Sequence, residues 1–106
     1  MSANTSTRYA VVTGAASGLG RAIAVRLARD GWRLALADLN TAGCEETRRL
    51  VEQAGSSAQI EPLDVRDEQQ WLALRARLQR EWPRCDLIVN NAGVVASGAV
   101  QETPVA

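Results

Sequence analysis

Histidine is missing from this chain of 106 residues and so is lysine, since all twelve of its basic residues are arginines. Those absences exclude lysine Schiff bases, Ser–His–Asp triads, Cys–His dyads and histidine-ligated metals. Charge of one sign is also lacking, since twelve acids balance twelve bases. A neutral chain carries no electrostatic footprint for nucleic acid. Cysteine is scarce: Cys44 and Cys85 form neither a CxxC pair nor a zinc spacing. They read as small, reduced core residues of a cytoplasmic protein. Met1 to Thr7 is polar and has no apolar signal region. No stretch reaches the roughly eighteen apolar residues of a membrane span, so no membrane partner is expected.

What is present is the composition of one globular domain, 46% hydrophobic and 23% charged. Short apolar runs alternate with longer amphipathic ones. Tyr9 to Thr13 reads as a buried strand that ends in a glycine-rich turn. Gly18 to Asp30 reads as a helix with Leu19, Ile23 and Leu27 on one face, Ala24 and Ala28 beside it, and Gly31 as its stop. Arg33 to Ala37 is a second strand, ending at Asp38. Thr41 to Ala54 is a second helix, with Glu45 and Arg49 as a solvated pair and Gly55 closing it. Gln59 to Leu63 is a third strand, and Pro62 places it on a sheet edge. Asp67 caps a third helix with Gln70 at the capping-box position. Trp71, Leu74, Leu78 and Trp82 follow at helical spacing as a core stripe, and Pro83 ends the helix. Leu87 to Val89 is a fourth strand. The order βαβαβαβ predicts an α/β fold with parallel strands and helical crossovers.

The segment Thr13-Gly14-Ala15-Ala16-Ser17-Gly18-Leu19-Gly20 joins the first strand to the first helix. Glycines at 14, 18 and 20 allow a tight turn and close approach to a ligand. The free amides and the dipole at a helix start favour a phosphate. Asp38 follows Gly20 by about eighteen positions, near the spacing at which a carboxylate meets a ribose diol. Taken singly, these features have plainer readings. The loop could be an ordinary βα turn, Asp38 a cap near the second helix and Asp64 a turn acid. Asn90 and Asn91 could simply satisfy backbone groups at a strand end.

The loop does not match the common GxGxxG fingerprint. TGAASGLG instead resembles the TGxxxGxG signature of the short-chain dehydrogenase/reductase family. Asp38 at the end of the second strand, Asp64-Val65 after the third and Asn90-Asn91-Ala92-Gly93 after the fourth agree with that family in type and order. The resemblance runs from Tyr9 to the end of the chain. It implies a Rossmann-like doubly wound parallel sheet, first half plus one strand, ordered 3-2-1-4. It also implies a nicotinamide cofactor. Gly14, Ser17, Gly18, Leu19 and Gly20 would surround the pyrophosphate and its nearby ribose. Asp38 would hold the adenosine ribose hydroxyls, and Asp64, with the Val65 backbone beside it, the adenine. Asn90, Ala92 and Gly93 would line the cofactor. NAD(H) is expected over NADP(H), because a carboxylate at 38 repels a 2′-phosphate and position 39 is Leu rather than a base.

The family's catalytic Tyr and Lys lie in a YxxxK motif downstream of NNAG, together with a Ser. This chain has one tyrosine, Tyr9, in the first strand, and no lysine. Ser97 comes too early to be the family's Ser, so no catalytic residue and no metal ligand is assigned. Thr103-Pro104 looks like the start of a helix. The chain therefore reads as residues 1–106 of one domain, the cofactor half of a reductase acting on a small alcohol or ketone, with the catalytic half absent. A non-catalytic nucleotide-binding module and a Rossmann-like methyltransferase are the competing readings, the latter weakened by the loop spacing and NNAG. The apolar fourth strand, paired on one side only, predicts a homo-oligomer or self-association.

Overall fold

A computed structural model describes residues 7–91. Seven elements alternate strictly: β1 (Tyr9–Thr13), α1 (Gly18–Arg29), β2 (Arg33–Asp38), α2 (Thr41–Gln53), β3 (Ala58–Pro62), α3 (Glu68–Glu81) and β4 (Leu87–Val89). The strands form one parallel sheet in the order β3-β2-β1-β4. This is the Rossmann-like α/β architecture and strand order implied by the glycine loop and its companions. Pro62 takes the last position of the edge strand β3, opposite Asp38, where a missing N–H is tolerated.

β1 and β2 are apolar at successive positions because both sheet faces are covered there. Ala10 and Val12 of β1 and Leu34 and Leu36 of β2 pack with Ala24 and Ala28 of α1 and Cys44 and Val51 of α2. The alternate residues Val11, Ala35 and Ala37 pack on the other face with Leu63 and with Leu74, Leu78 and Trp82 of the α3 side. Each fully buried aliphatic side chain contributes about 1.5–3 kcal/mol relative to exposure. Glu61 is buried on β3, where Arg77 of α3 pairs with it and the Gln59 amide donates to it at 2.7 Å. At the opposite end of β1, the Tyr9 amide donates to the Asp86 carboxylate at 2.9 Å and the Asp86 amide donates to the Tyr9 carbonyl at 2.8 Å.

Several local expectations need revision. The first two helices each stop one residue early, and β3 is shifted by one position towards the N-terminus. The buried stripe of α1 is Gly20, Ala24 and Ala28, whereas Leu19 is 66% exposed. Small residues at this spacing let the helix lie against the loop and sheet more closely than leucines would. On α2 the ion pairs run Glu45–Arg48 and Glu46–Arg49, three residues apart, in place of Glu45–Arg49. Cys44 is buried, but Cys85 is exposed because it falls in the segment leading into β4; both are free thiols. Trp71 is half-buried at the margin of the α3 stripe rather than inside it. Among the described residues, no helix is long and apolar enough to cross a membrane, and no group of three His, Cys, Asp or Glu could hold a metal ion.

Candidate cofactor site

Parallel strands deliver their carboxyl ends to one edge of the sheet, and four of the expected site segments meet there. The glycine loop follows β1, Asp38 closes β2, Asp64 and Val65 follow β3, and Asn90 follows β4. Ala92, Gly93, Ser97 and Thr103-Pro104 lie outside the described residues.

The loop glycines serve two separate requirements. Gly14 and Gly18 have φ of +64° and +55°, the left-handed region that side chains disfavour. Gly20 is a matter of space: a Cβ there would stand 2.0 Å from the Gly14 carbonyl oxygen and 3.0 Å from the Asn91 side-chain amide. Helix α1 thus starts in backbone contact with the loop, beside the residues that follow β4. Its first amides, at Gly18, Leu19 and Gly20, have no carbonyl four residues back within the helix. Ser17 occupies the N-cap position, yet its side chain makes no capping bond and is exposed. An N-cap hydroxyl that leaves the helix uncapped is available to a ligand together with those amides.

Asp38 does not cap α2. Asn40 does, accepting from the Gly43 amide at 2.9 Å. Asp38 instead ties the edge together: one carboxylate oxygen accepts from the Ala16 amide at 3.2 Å and the other from the Asn40 amide at 3.0 Å. A carboxylate offers about four lone-pair sites, so capacity remains for a ribose diol. The next residue, Leu39, is 60% exposed and carries no charge.

Asp64 begins the turn into α3. Its amide donates to the Gln70 side-chain carbonyl at 2.9 Å, and the Asp67 amide donates to its carbonyl oxygen at 2.9 Å. The carboxylate pairs with Arg66 through two bonds of 3.1 and 3.2 Å. That guanidinium, with the Arg66 amide, holds the Asp64 carboxyl below the usual carboxylate range. Asp64 is therefore an acceptor-only group at neutral pH, the form that can receive an exocyclic amine. Val65 is half-buried and packs against the buried cluster that includes Leu63 and Leu74, which anchors the turn. Asp67 caps α3 as expected, accepting from the Gln69 and Gln70 amides. The Gln70 side chain bonds the Asp67 carboxylate and the Asp64 amide, a variant of the reciprocal box.

Asn90 is exposed at the end of β4, and its side-chain oxygen is 3.5 Å from the Thr13 hydroxyl, which also donates to the Val89 carbonyl at 3.1 Å. This joins the end of β4 to the start of the glycine loop. Sequence reasoning missed Arg21, Thr47 and Arg66. Arg66 could have been found from its place two positions after an acid in a turn. Thr47, in the middle of a helix, carries no local signal.

A parallel sheet with a glycine-rich first crossover, an uncapped helix start and an acid at the end of the second strand defines the Rossmann-like class. Over residues 8–106 the chain matches the short chain dehydrogenase family, and it belongs to that family. It is 36% identical over 97 residues to an uncharacterized oxidoreductase, YxjF, of Bacillus subtilis (strain 168), covering 92% of this chain and 38% of that protein. A metagenomic short-chain oxidoreductase solved in complex with NADP superposes with a TM-score of 0.78 at 34% identity, over 82% of this chain and 39% of that one. A short chain dehydrogenase from Mycobacterium paratuberculosis bound to NAD gives a TM-score of 0.75 at 34% identity, over 84% and 38%. The chain thus spans well under half the length of the proteins it resembles.

Proposed function

We propose that this chain is the dinucleotide-binding portion, residues 1–106 of a single domain, of an oxidoreductase that transfers a hydride between a nicotinamide cofactor and a small alcohol or carbonyl substrate. One observation carries the reading: a loop that tolerates no side chain at Gly20 lies in hydrogen-bond contact with Asp38 at the carboxyl edge of the sheet. The residues present fit such a group. Ser17 and the amides of Gly18, Leu19 and Gly20 would take the pyrophosphate beside Gly14, and Asp38 the adenosine ribose. Asp64 and the Val65 backbone would take the adenine, and Asn90, with Ala92 and Gly93, the continuing wall. The cofactor, when bound, supplies the hydride chemistry; these residues bind and orient it. Neither a tyrosine–lysine pair nor any lysine occurs in the 106 residues, so we expect binding without turnover from this chain by itself.

Within this reading the cofactor is NAD(H) rather than NADP(H). Asp38 keeps spare acceptor sites for two hydroxyls and would repel a 2′-phosphate, and exposed Leu39 offers that phosphate no countercharge. Opposed charges in a partly screened site are worth on the order of a few kcal/mol. Competition binding of NADH and NADPH tests this: NADH should win clearly, and Asp38→Ala should narrow the gap by weakening NADH. Equal or tighter NADPH binding by the unaltered chain would defeat the preference. We also read β4 as a self-association edge, because Leu87 and Ile88 are 38% and 53% exposed. A monomer in analytical ultracentrifugation at high protein concentration would refute that.

A further inference from the structure

We propose that Arg21 and Thr47 are the positioning residues of the glycine loop, holding two of its carbonyls so that the Ala16 amide faces Asp38 and the Ser17 amide faces the start of α1, where the dinucleotide would sit. The inference rests on the dinucleotide reading above but concerns two side chains that reading does not use. Thr47 is fully buried in the middle of α2, an unusual place for a hydroxyl unless it is bonded. Its Oγ1 donates to the Ala15 carbonyl at 2.7 Å and accepts from Arg21 Nε at 2.9 Å. Arg21 Nη2 donates to the Ala16 carbonyl at 2.6 Å and to the Gly43 carbonyl at 3.1 Å. Two successive loop carbonyls are thereby drawn to α2. The approach is tight enough that a Cβ on Gly43 would stand 2.7 Å from the Ala16 oxygen.

None of the described peptide bonds is cis. In a planar trans peptide the carbonyl of one residue and the amide of the next point in opposite directions. Holding the Ala15 carbonyl on Thr47 therefore turns the Ala16 amide away from α2, and this amide is the one that donates to Asp38. Holding the Ala16 carbonyl on Arg21 turns the Ser17 amide away in the same manner, at the start of α1. Arg21 thus sets the pyrophosphate side of the loop. Thr47 sets its link to Asp38 and holds Arg21 in place.

The test compares the unaltered chain with Arg21→Met, Thr47→Val and Thr47→Ser. The probes are NADH and adenosine, which lacks any phosphate. Arg21→Met should weaken NADH about tenfold, the scale of one lost charge-assisted hydrogen bond, and leave adenosine unchanged. Thr47→Val should weaken NADH at least as much, and Thr47→Ser, which keeps the hydroxyl, should restore it. In the ligand-free state, Arg21→Met should shift the amide NMR resonances of Ala16, Ser17 and Gly18. Unshifted loop resonances, unchanged NADH affinity, or equal losses for NADH and adenosine in Arg21→Met would each overturn the positioning role. Failure of the unaltered chain to bind NADH or NADPH would instead overturn the functional reading, and the pyrophosphate role with it.

Discussion

On one face of the sheet, α1 and α2 each press backbone to backbone on the glycine loop; on the other, α3 is the one helix among the described residues, with an open groove of about 510 Å³ beside it that reaches Ile88 of β4. The first face is built mainly from alanines, with Val12, Val51, Leu34, Leu36 and Cys44, and is packed without room at Gly20 or Gly43. On the second, small Ala35 and Ala37 of the sheet meet larger side chains from the α3 side, with Trp71, Leu78, Trp82 and Ile88 among the groove's lining. The difference fits the role proposed for the loop. A phosphate-binding loop needs a helix start pressed against it, which only small residues permit. A face without that duty can use bulk in place of fit.

Substitutions should break the comparison most sharply at the loop. Gly20→Val should destabilise by about 4 kcal/mol or more, as a side chain forced into the Gly14 backbone has nowhere to relax. Urea unfolding would measure it, and a cost under 1 kcal/mol would mean that the close approach is dispensable. Next comes Leu36→Ala on the same face, at about 3 kcal/mol for a fully buried leucine. Ile88→Ala in the groove should cost under about 1 kcal/mol, since Ile88 is half exposed already. Similar losses at the two sites would erase the distinction between the faces.

An effect between those of Leu36→Ala and Ile88→Ala sharpens the account of the α3 face. Arg77→Met leaves the buried Glu61 carboxylate without its ion pair, and should cost about 2 kcal/mol, reduced from the buried-pair range because Arg77 is 40% exposed. Glu61→Gln combined with Arg77→Met should cost less than Arg77→Met alone. The reverse order, in a double-mutant cycle, would show that charge at Glu61 is immaterial.

The smallest effect involves no change in stability. Burial, reinforced by the Asp38 carboxylate, pushes the Cys44 thiol up to about 11, whereas Cys85 is exposed at the groove. A thiol reagent at pH 8 should label Cys85 promptly and Cys44 only on unfolding. As Cys44's folded value lies above that of a free thiol, raising the pH through 9 should not by itself make it reactive in the folded chain. Equal labelling rates would mean that the tight face opens readily.

The fold was largely legible in the sequence, because period and punctuation are local. Gly31, Gly55, Asp67 and Pro83 each mark an end, and Pro62 marks an edge. The glycine loop and Asp38 were legible as a pair through their spacing. What stayed hidden depends on distance in space. The choice of Ala24 and Ala28 over Leu19 as the buried stripe is decided by how near α1 comes to β1, which periodicity does not report. The Arg21–Thr47 link joins positions 26 residues apart, on different helices, and only the packed structure brings them together. Cys85 was misjudged for a related reason: a small apolar residue before a strand is buried only if something covers that segment.

The strand register has a consequence for the order in which the chain assembles. Residues paired between β1 and β2, and between β2 and β3, are separated by one crossover, as Val11 and Ala35 or Ala35 and Gln59 are. Val11 and Ile88, paired between β1 and β4, are separated by three. Closing the longer loop costs roughly 1 kcal/mol more chain entropy, and β4 has only three residues with which to offset it. The first three strands are therefore expected to form the early framework, with β4 docking last, hooked by the paired bonds of Tyr9 and Asp86. Its far end carries the Thr13–Val89 bond and Asn90 into the wall of the glycine loop. A dinucleotide held between that loop and the end of β4 would act as a fastener on the last strand to arrive, slowing its release far more than it speeds the folding of the rest.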